Sequence, residues 1–127
     1  MKLKFIILGL SLFLLSLSIN AQQGWFWQNP LPTGNDLFSV HFIDSQIGWA
    51  VGWYGTIIKT TNGGENWFAQ NSSTGTYFNS VNFTDNQTGW IVAYGGTILK
   101  TTNGGVEWSN IQLNSQYDFY SIYANWS

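Results

Sequence analysis

The chain has 127 residues, four of them Lys and none Arg, against six Asp and Glu, for a net charge of -2, and it has no cysteine. So few cations leave little to hold a phosphate backbone, which excludes nucleic acid as a partner; the lack of thiols excludes disulfides, thiolate metal sites and a Cys nucleophile. Aromatic residues make up 18% of the chain, too many for a disordered polymer and suited to short strands joined by tight turns.

Taken in order, Lys2 and Lys4 precede an apolar run from Phe5 to Leu17, followed by Ser18-Ile19-Asn20-Ala21 and the polar pair Gln22-Gln23. Charge, apolar core and small residue occur in the order of a secretory signal, with cleavage after Ala21. The transmembrane alternative needs ~20 apolar residues, more than this run supplies. Residues 1–21 therefore read as a signal peptide, and residues 22–127 as an exported chain with no stable membrane anchor. Next, Trp25-Phe26-Trp27-Gln28-Asn29 resembles Trp67-Phe68-Ala69-Gln70-Asn71, so residues 24–29 read as an outer strand. Completing another blade's sheet, it would clasp a ring shut.

The segments Leu37 to Trp67 and Phe78 to Trp108 align without a gap at a spacing of 41 residues, with 18 of 31 positions identical. Each reads as four strands. In the first copy Leu37 to Ile43 alternates its apolar residues, and a polar turn at Asp44 to Gly48 leads into Trp49 to Trp53. Gly55 then punctuates before Thr56 to Thr60, and a Gly-rich turn precedes Trp67 to Gln70. The second strands are apolar on both faces, as a sheet covered on both sides requires. Four short strands in a ~40-residue period are the pattern of a propeller blade. The expected fold is all-β, a partial β-propeller with blade repeats at 37–71 and 78–112 and a truncated start of a third at 117–127. Two units leave apolar faces bare, and repeat arrays generally need ~3 or more. Missing blades or self-association are thus expected to complete the fold.

The string Thr60-Thr61-Asn62-Gly63-Gly64 ends at Trp67, and Thr101-Thr102-Asn103-Gly104-Gly105 ends at Trp108. An Asn that bonds back to its own turn, two glycines free to take positive φ and a Trp plate laid over them make a structural hairpin. A phosphate-cradling loop would need a following Gly-Lys-Ser/Thr and a helix. The equivalent carboxylates Asp44 and Asp85 read as turn caps, the sharper reading being a glycosidase pair. His41, the single histidine, is replaced by Asn82 in the second copy; it is either a ligand-facing residue or a bystander, and no further metal ligands accompany it. Asn71, Asn82, Asn86 and Asn125 stand in formal glycosylation sequons. Trp53-Tyr54 and Tyr94-Gly95 fall where the copies differ, between the second and third strands. Rim loops of this kind recognise ligands, and aromatic rings suit a sugar or a peptide; for Trp53 the alternative is core filling.

The Asn-Gly-Gly turn resembles the Asp-box of the bacterial neuraminidase repeat, with Asn62 and Asn103 where Asp is usual. The longer string, Ser-Val-x-Phe-x-Asp to Gly-Thr-Ile-x-Lys-Thr-Thr-Asn-Gly-Gly-x-x-Trp, is similar to the repeat of the photosystem II assembly and stability factor family, also found in secreted bacterial proteins. The resemblance implies propellers without catalysis and without a cofactor. It departs in two respects: no arginine supplies a basic partner surface, so a photosystem role is not carried over, and family propellers have about seven blades. The expected function is a non-catalytic secreted or cell-surface recognition or scaffolding module, part of a longer repeat protein, for a protein or glycan ligand held by Trp53, Tyr54, Tyr94 and His41. The alternatives are a non-catalytic portion of a sialidase-like glycoside hydrolase, which would need an arginine cluster elsewhere for the substrate carboxylate, and a truncated reading frame with no independent role.

Overall fold

The computed structural model describes residues 32–113 and 116–125. The expected signal peptide and the outer strand at 24–29 lie outside them. β1 (Leu37–Phe42), β2 (Gly48–Gly52), β3 (Ile57–Thr60) and β4 (Phe68–Gln70) form one antiparallel sheet in sequence order. β5 (Phe78–Phe83), β6 (Gly89–Ala93), β7 (Thr97–Thr101) and β8 (Ser109–Gln112) form a second sheet of the same order. Registers repeat as well: Val40 faces Ala50 as Val81 faces Ile91, and both first strands slip register at the same place, between Leu37 and Ser39 and between Phe78 and Ser80.

Second and third strands end earlier or start later than the repeat suggests. β2 stops at Gly52 because the Trp53 N–H leaves the ladder and donates to the Asp36 carbonyl at 3.0 Å. Thr97 joins β7, whereas its counterpart Thr56 stays outside β3 and its N–H closes a turn onto Trp53. Trp67 and Trp108 precede their strands and serve the turns instead.

The Thr-Thr-Asn-Gly-Gly turns are nearly superimposable in their bonding. The Thr60 hydroxyl accepts from Gly64 N–H at 2.9 Å and donates to Asn62 Oδ1 at 3.0 Å, while Asn62 Oδ1 accepts from Asn66 N–H at 2.9 Å. Thr101, Asn103, Gly105 and Glu107 repeat those bonds at 3.0, 2.9 and 2.9 Å. Positive φ at Gly63 and Gly64, and again at Gly104 and Gly105, makes room for the reversal without a Cβ clash. Trp67 lies against Gly64, as a covering plate should. Asp44 and Asp85 cap the preceding turns, each carboxylate accepting two backbone N–H bonds. The bonds to Ile47 and Gln46, and to Thr88 and Gln87, hold both carboxyls below the ordinary carboxylate value.

The core lies between the sheets. Trp49, Val51 and Ile57 of the first pack on Phe78, Val81, Phe83, Ile91 and Leu99 of the second. The Trp49 indole stacks on the Phe83 ring with centroids 3.5 Å apart and planes 8° from parallel. One carbonyl, that of Gly104, gathers three donors from the first sheet: Trp49 Nε1 at 3.3 Å, Lys59 Nζ at 3.1 Å and Gln70 Nε2 at 3.1 Å. Ser39 Oγ accepts from the Val81 N–H at 3.2 Å, clipping β5 to β1. The same clip recurs beyond the second sheet, where Ser80 Oγ accepts from Ile122 N–H at 3.3 Å and Asn82 Oδ1 from Ala124 N–H at 3.2 Å. The tail from Phe119 to Ala124 thus lies on the second sheet where β5 lies on the first. Among the described residues no helix is long and apolar enough to cross a membrane.

Candidate functional site: an aromatic rim

The strand registers give each sheet two different ends. Gly48 pairs with both Phe42 and Thr60 at the end that carries the Asn-Gly-Gly turns. At the other end β2 runs into a turn at Trp53–Gly55 and β6 into its counterpart at Tyr94–Gly96. These turns are tied to the chain on both sides of them. Gly55 N–H donates to the Thr76 carbonyl at 2.7 Å, Tyr94 N–H to the Tyr77 carbonyl at 3.2 Å and Gly95 N–H to Asp118 Oδ1 at 2.8 Å.

So anchored, the turns raise a continuous row of rings across both sheets. Phe38 meets Trp53 at 5.6 Å between centroids, Trp53 meets Tyr77 at 5.8 Å, Tyr77 meets Tyr94 at 6.0 Å and Tyr94 meets Tyr120 at 6.1 Å. Tyr54 joins from the side, 5.5 Å from Tyr77 and 6.1 Å from Trp53. Most of the tyrosine contacts are edge-to-face, an arrangement the ring quadrupoles favour and one that holds each ring upright. All six rings are exposed. Tyr54 reaches the row only by taking a left-handed backbone with φ 54°, where the second sheet has Gly95 at φ 67°. A bulky residue in that conformation is strained, and strain of this kind collects at functional sites.

The rim is acidic. Asp118 pushes the Tyr120 phenol above its ordinary value through its negative charge, and Asp36 lends its carbonyl to the Trp53 turn. The described lysines lie elsewhere: Lys59 sits over the Trp49 ring at 4.9 Å and Lys100 over Trp90 at 5.7 Å.

Of the four ligand residues expected from sequence, Trp53, Tyr54 and Tyr94 share this row. Trp53 is exposed and fills no core. His41 stands apart, paired with Trp49 toward the opposite end of β1. Sequence reasoning missed Phe38, Tyr77 and Tyr120. Tyr77 takes the repeat position of Asp36, and Phe38 and Tyr120 share a position with Asn79, so the repeat gave no sign of them. Their only signal was that these positions differ between copies. Asp44 and Asp85 are each committed to their own turn, and Asn82 is buried against Ala124, away from any glycan. Among the described residues no three His, Cys, Asp or Glu side chains converge on a metal position.

Two stacked four-stranded blades of one repeated design make the chain a partial β-propeller. Among the solved structures it resembles are a YCF48 bound to a D1 peptide, 40% identical with a TM-score of 0.59 over 65% of this chain and 28% of that one, and YCF48 from Cyanidioschyzon merolae, 34% identical with a TM-score of 0.57 over 66% of this chain and 26% of that one. The chain belongs to the family described as photosynthesis system II assembly factor YCF48, whose model matches residues 18–119. It spans little more than a quarter of the length of those solved relatives. No curated protein matches it.

Proposed function

We propose that the chain is a non-catalytic recognition module of an exported propeller protein, and that it binds a segment of another protein along the aromatic rim. The row of six exposed rings crossing both blades carries this reading. Tyr and Trp offer large contact area at small entropic loss and are the side chains that dominate protein interfaces. A peptide is favoured over a glycan by kinship with a YCF48 solved bound to a D1 peptide. The acidic flank at Asp36 and Asp118 favours a neutral or basic segment. Export rests on the charge, apolar run and small residue that precede Gln22.

The test is binding of the full chain to an array of extended peptides and, in parallel, to a glycan array. Peptides are expected to be retained, and Tyr54→Ala and Tyr94→Ala to weaken them about tenfold or more. Retention of glycans alone, or peptide binding indifferent to both substitutions, would overturn the reading.

A further inference from the structure

Each blade has a face that gives and a face that receives. The giving face of the first blade, Trp49, Val51, Ile57 and Lys59, is filled by the receiving face of the second, Val81, Phe83, Ile91, Leu99 and the Gly104 carbonyl. Among the described residues, one of each has no facing blade. On the first blade, Val40, Ala50 and Ile58 of the receiving face line an apolar groove of about 480 Å³ walled by Pro32, Phe38 and Trp67, and the exposed Phe42 stands outside it on the same strand as Val40. On the second blade the giving face shows Trp90 and Lys100, neither hydrogen-bonded through its side chain to any described residue.

We propose that these two open faces bind one another between copies of the chain, head to tail. The interface would repeat the one already built inside each copy. Trp90 of one copy stacks on Phe42 of the next, while Trp90 Nε1 and Lys100 Nζ converge on the Gly63 carbonyl as Trp49 and Lys59 converge on Gly104.

Three observations support a second copy as the occupant. The receiving face is already shaped: Phe42 meets Trp67 at 5.9 Å and 85°, as Phe83 meets Trp108 at 5.9 Å and 87°. Phe42 is 40% exposed where Phe83 is 3% exposed, so the first-strand part of the face is formed but uncovered, while Ala50 and Ile58 deeper in it are buried. Charge agrees as well, because Glu65 follows the Gly63-Gly64 turn where the second blade has Val106, placing an anion near the incoming Lys100. The tail holds the place that an incoming β1 would take, clipped to Ser80 and Asn82, with Ala124 where the second blade has Phe83. Lacking that ring, the tail leaves Trp90 half-exposed. It is a place-holder that β1 of a second copy displaces. Both surfaces are blade faces and take nothing from the rim. Contacts between unlike faces extend into rings or filaments.

The experiment is sedimentation velocity of the full chain over a wide concentration range. Wild type is expected to pass from monomer to dimer and longer species. Phe42→Asp and Trp90→Asp are each expected to stay monomeric, and a mixture of the two to form one-to-one dimers, since each keeps one intact face. Lys100→Met is expected to weaken association about tenfold, the worth of one charged hydrogen bond. Amide exchange at Ile122 and Ala124 is expected to quicken as wild type associates. Should an aspartate variant unfold, the Lys100→Met shift and the tail amides decide alone. A wild type monomeric throughout, a mixture of folded variants that does not pair, or association with Lys100→Met unchanged and the tail still protected would each overturn the proposal.

Discussion

Val40 and Val81 occupy the same place in the two blades, and so do Phe42 and Phe83, yet Val40 is 60% exposed and Val81 4%. Nothing in their immediate sequence accounts for this, since both pairs sit in Ser-Val-x-Phe strings with the same register to the next strand. The difference is the neighbour. A blade's local structure is set by its own turns and ladders, but the worth of its apolar residues is set by whether another blade lies on them.

The largest effect that could break this comparison is Phe83→Ala set against Phe42→Ala. Loss of Phe83 removes the ring stacked on Trp49 and is expected to destabilise by about 3–5 kcal/mol, the usual range for a buried Phe. In dilute protein Phe42→Ala should stay within about 1 kcal/mol, and urea denaturation of the two variants measures the gap. Equal losses would mean that the blades do not depend on stacking. Second, Thr60→Ala and Thr101→Ala should each reduce stability by about 1–2 kcal/mol, because each leaves a turn N–H without its acceptor. Here equality between the blades is the expected result, and unequal melting temperatures would show that the turns feel the neighbour too. A third, smaller pair concerns backbone strain at the rim. Gly95→Ala should destabilise by about 1 kcal/mol, since a Cβ there meets no neighbouring atom and only the left-handed backbone opposes it. Tyr54→Gly should lose no stability in thermal unfolding, while removing a ring from the rim.

Acid gives the smallest effect. Asp44 and Asp85 are held below their ordinary value of 3.8 by backbone N–H bonds. A depressed carboxyl contributes its stability fully above the unfolded value and loses it as pH falls through the lower folded one. Stability followed by fluorescence should therefore decline below about pH 3.8, and Asp44→Asn or Asp85→Asn should flatten that decline equally.

Much of the blade was legible in the sequence because it was written twice. The spacing of 41 residues located the strands, and Thr60, Asn62, Gly63 and Gly64 declared their turn by chemistry that only those residue types supply. Trp53 was assigned to a strand it does not join, since nothing local reveals that its N–H turns to Asp36. Half of the rim was hidden for a related reason. Repeats expose what recurs, whereas Phe38, Tyr77 and Tyr120 come from positions that do not, brought together by the packing of one blade's turn on the next blade's approach. His41 varies between copies as the rim residues do, but its register opposite Trp49 sets it toward the other end of the blade. The Gly104 carbonyl, where three donors meet, leaves no mark in sequence beyond the glycine its turn already needs.

The serine clip has a consequence for how such proteins diversify. Ser39 reaches the main chain of Val81, and Ser80 that of Ile122, so neither serine inspects which side chain follows it. That contact tolerates any side chain at Val81 or Ile122, so when unequal recombination inserts or deletes a 41-residue unit, what must be matched anew is the Trp49–Phe83 packing and the donors to the Gly104 carbonyl.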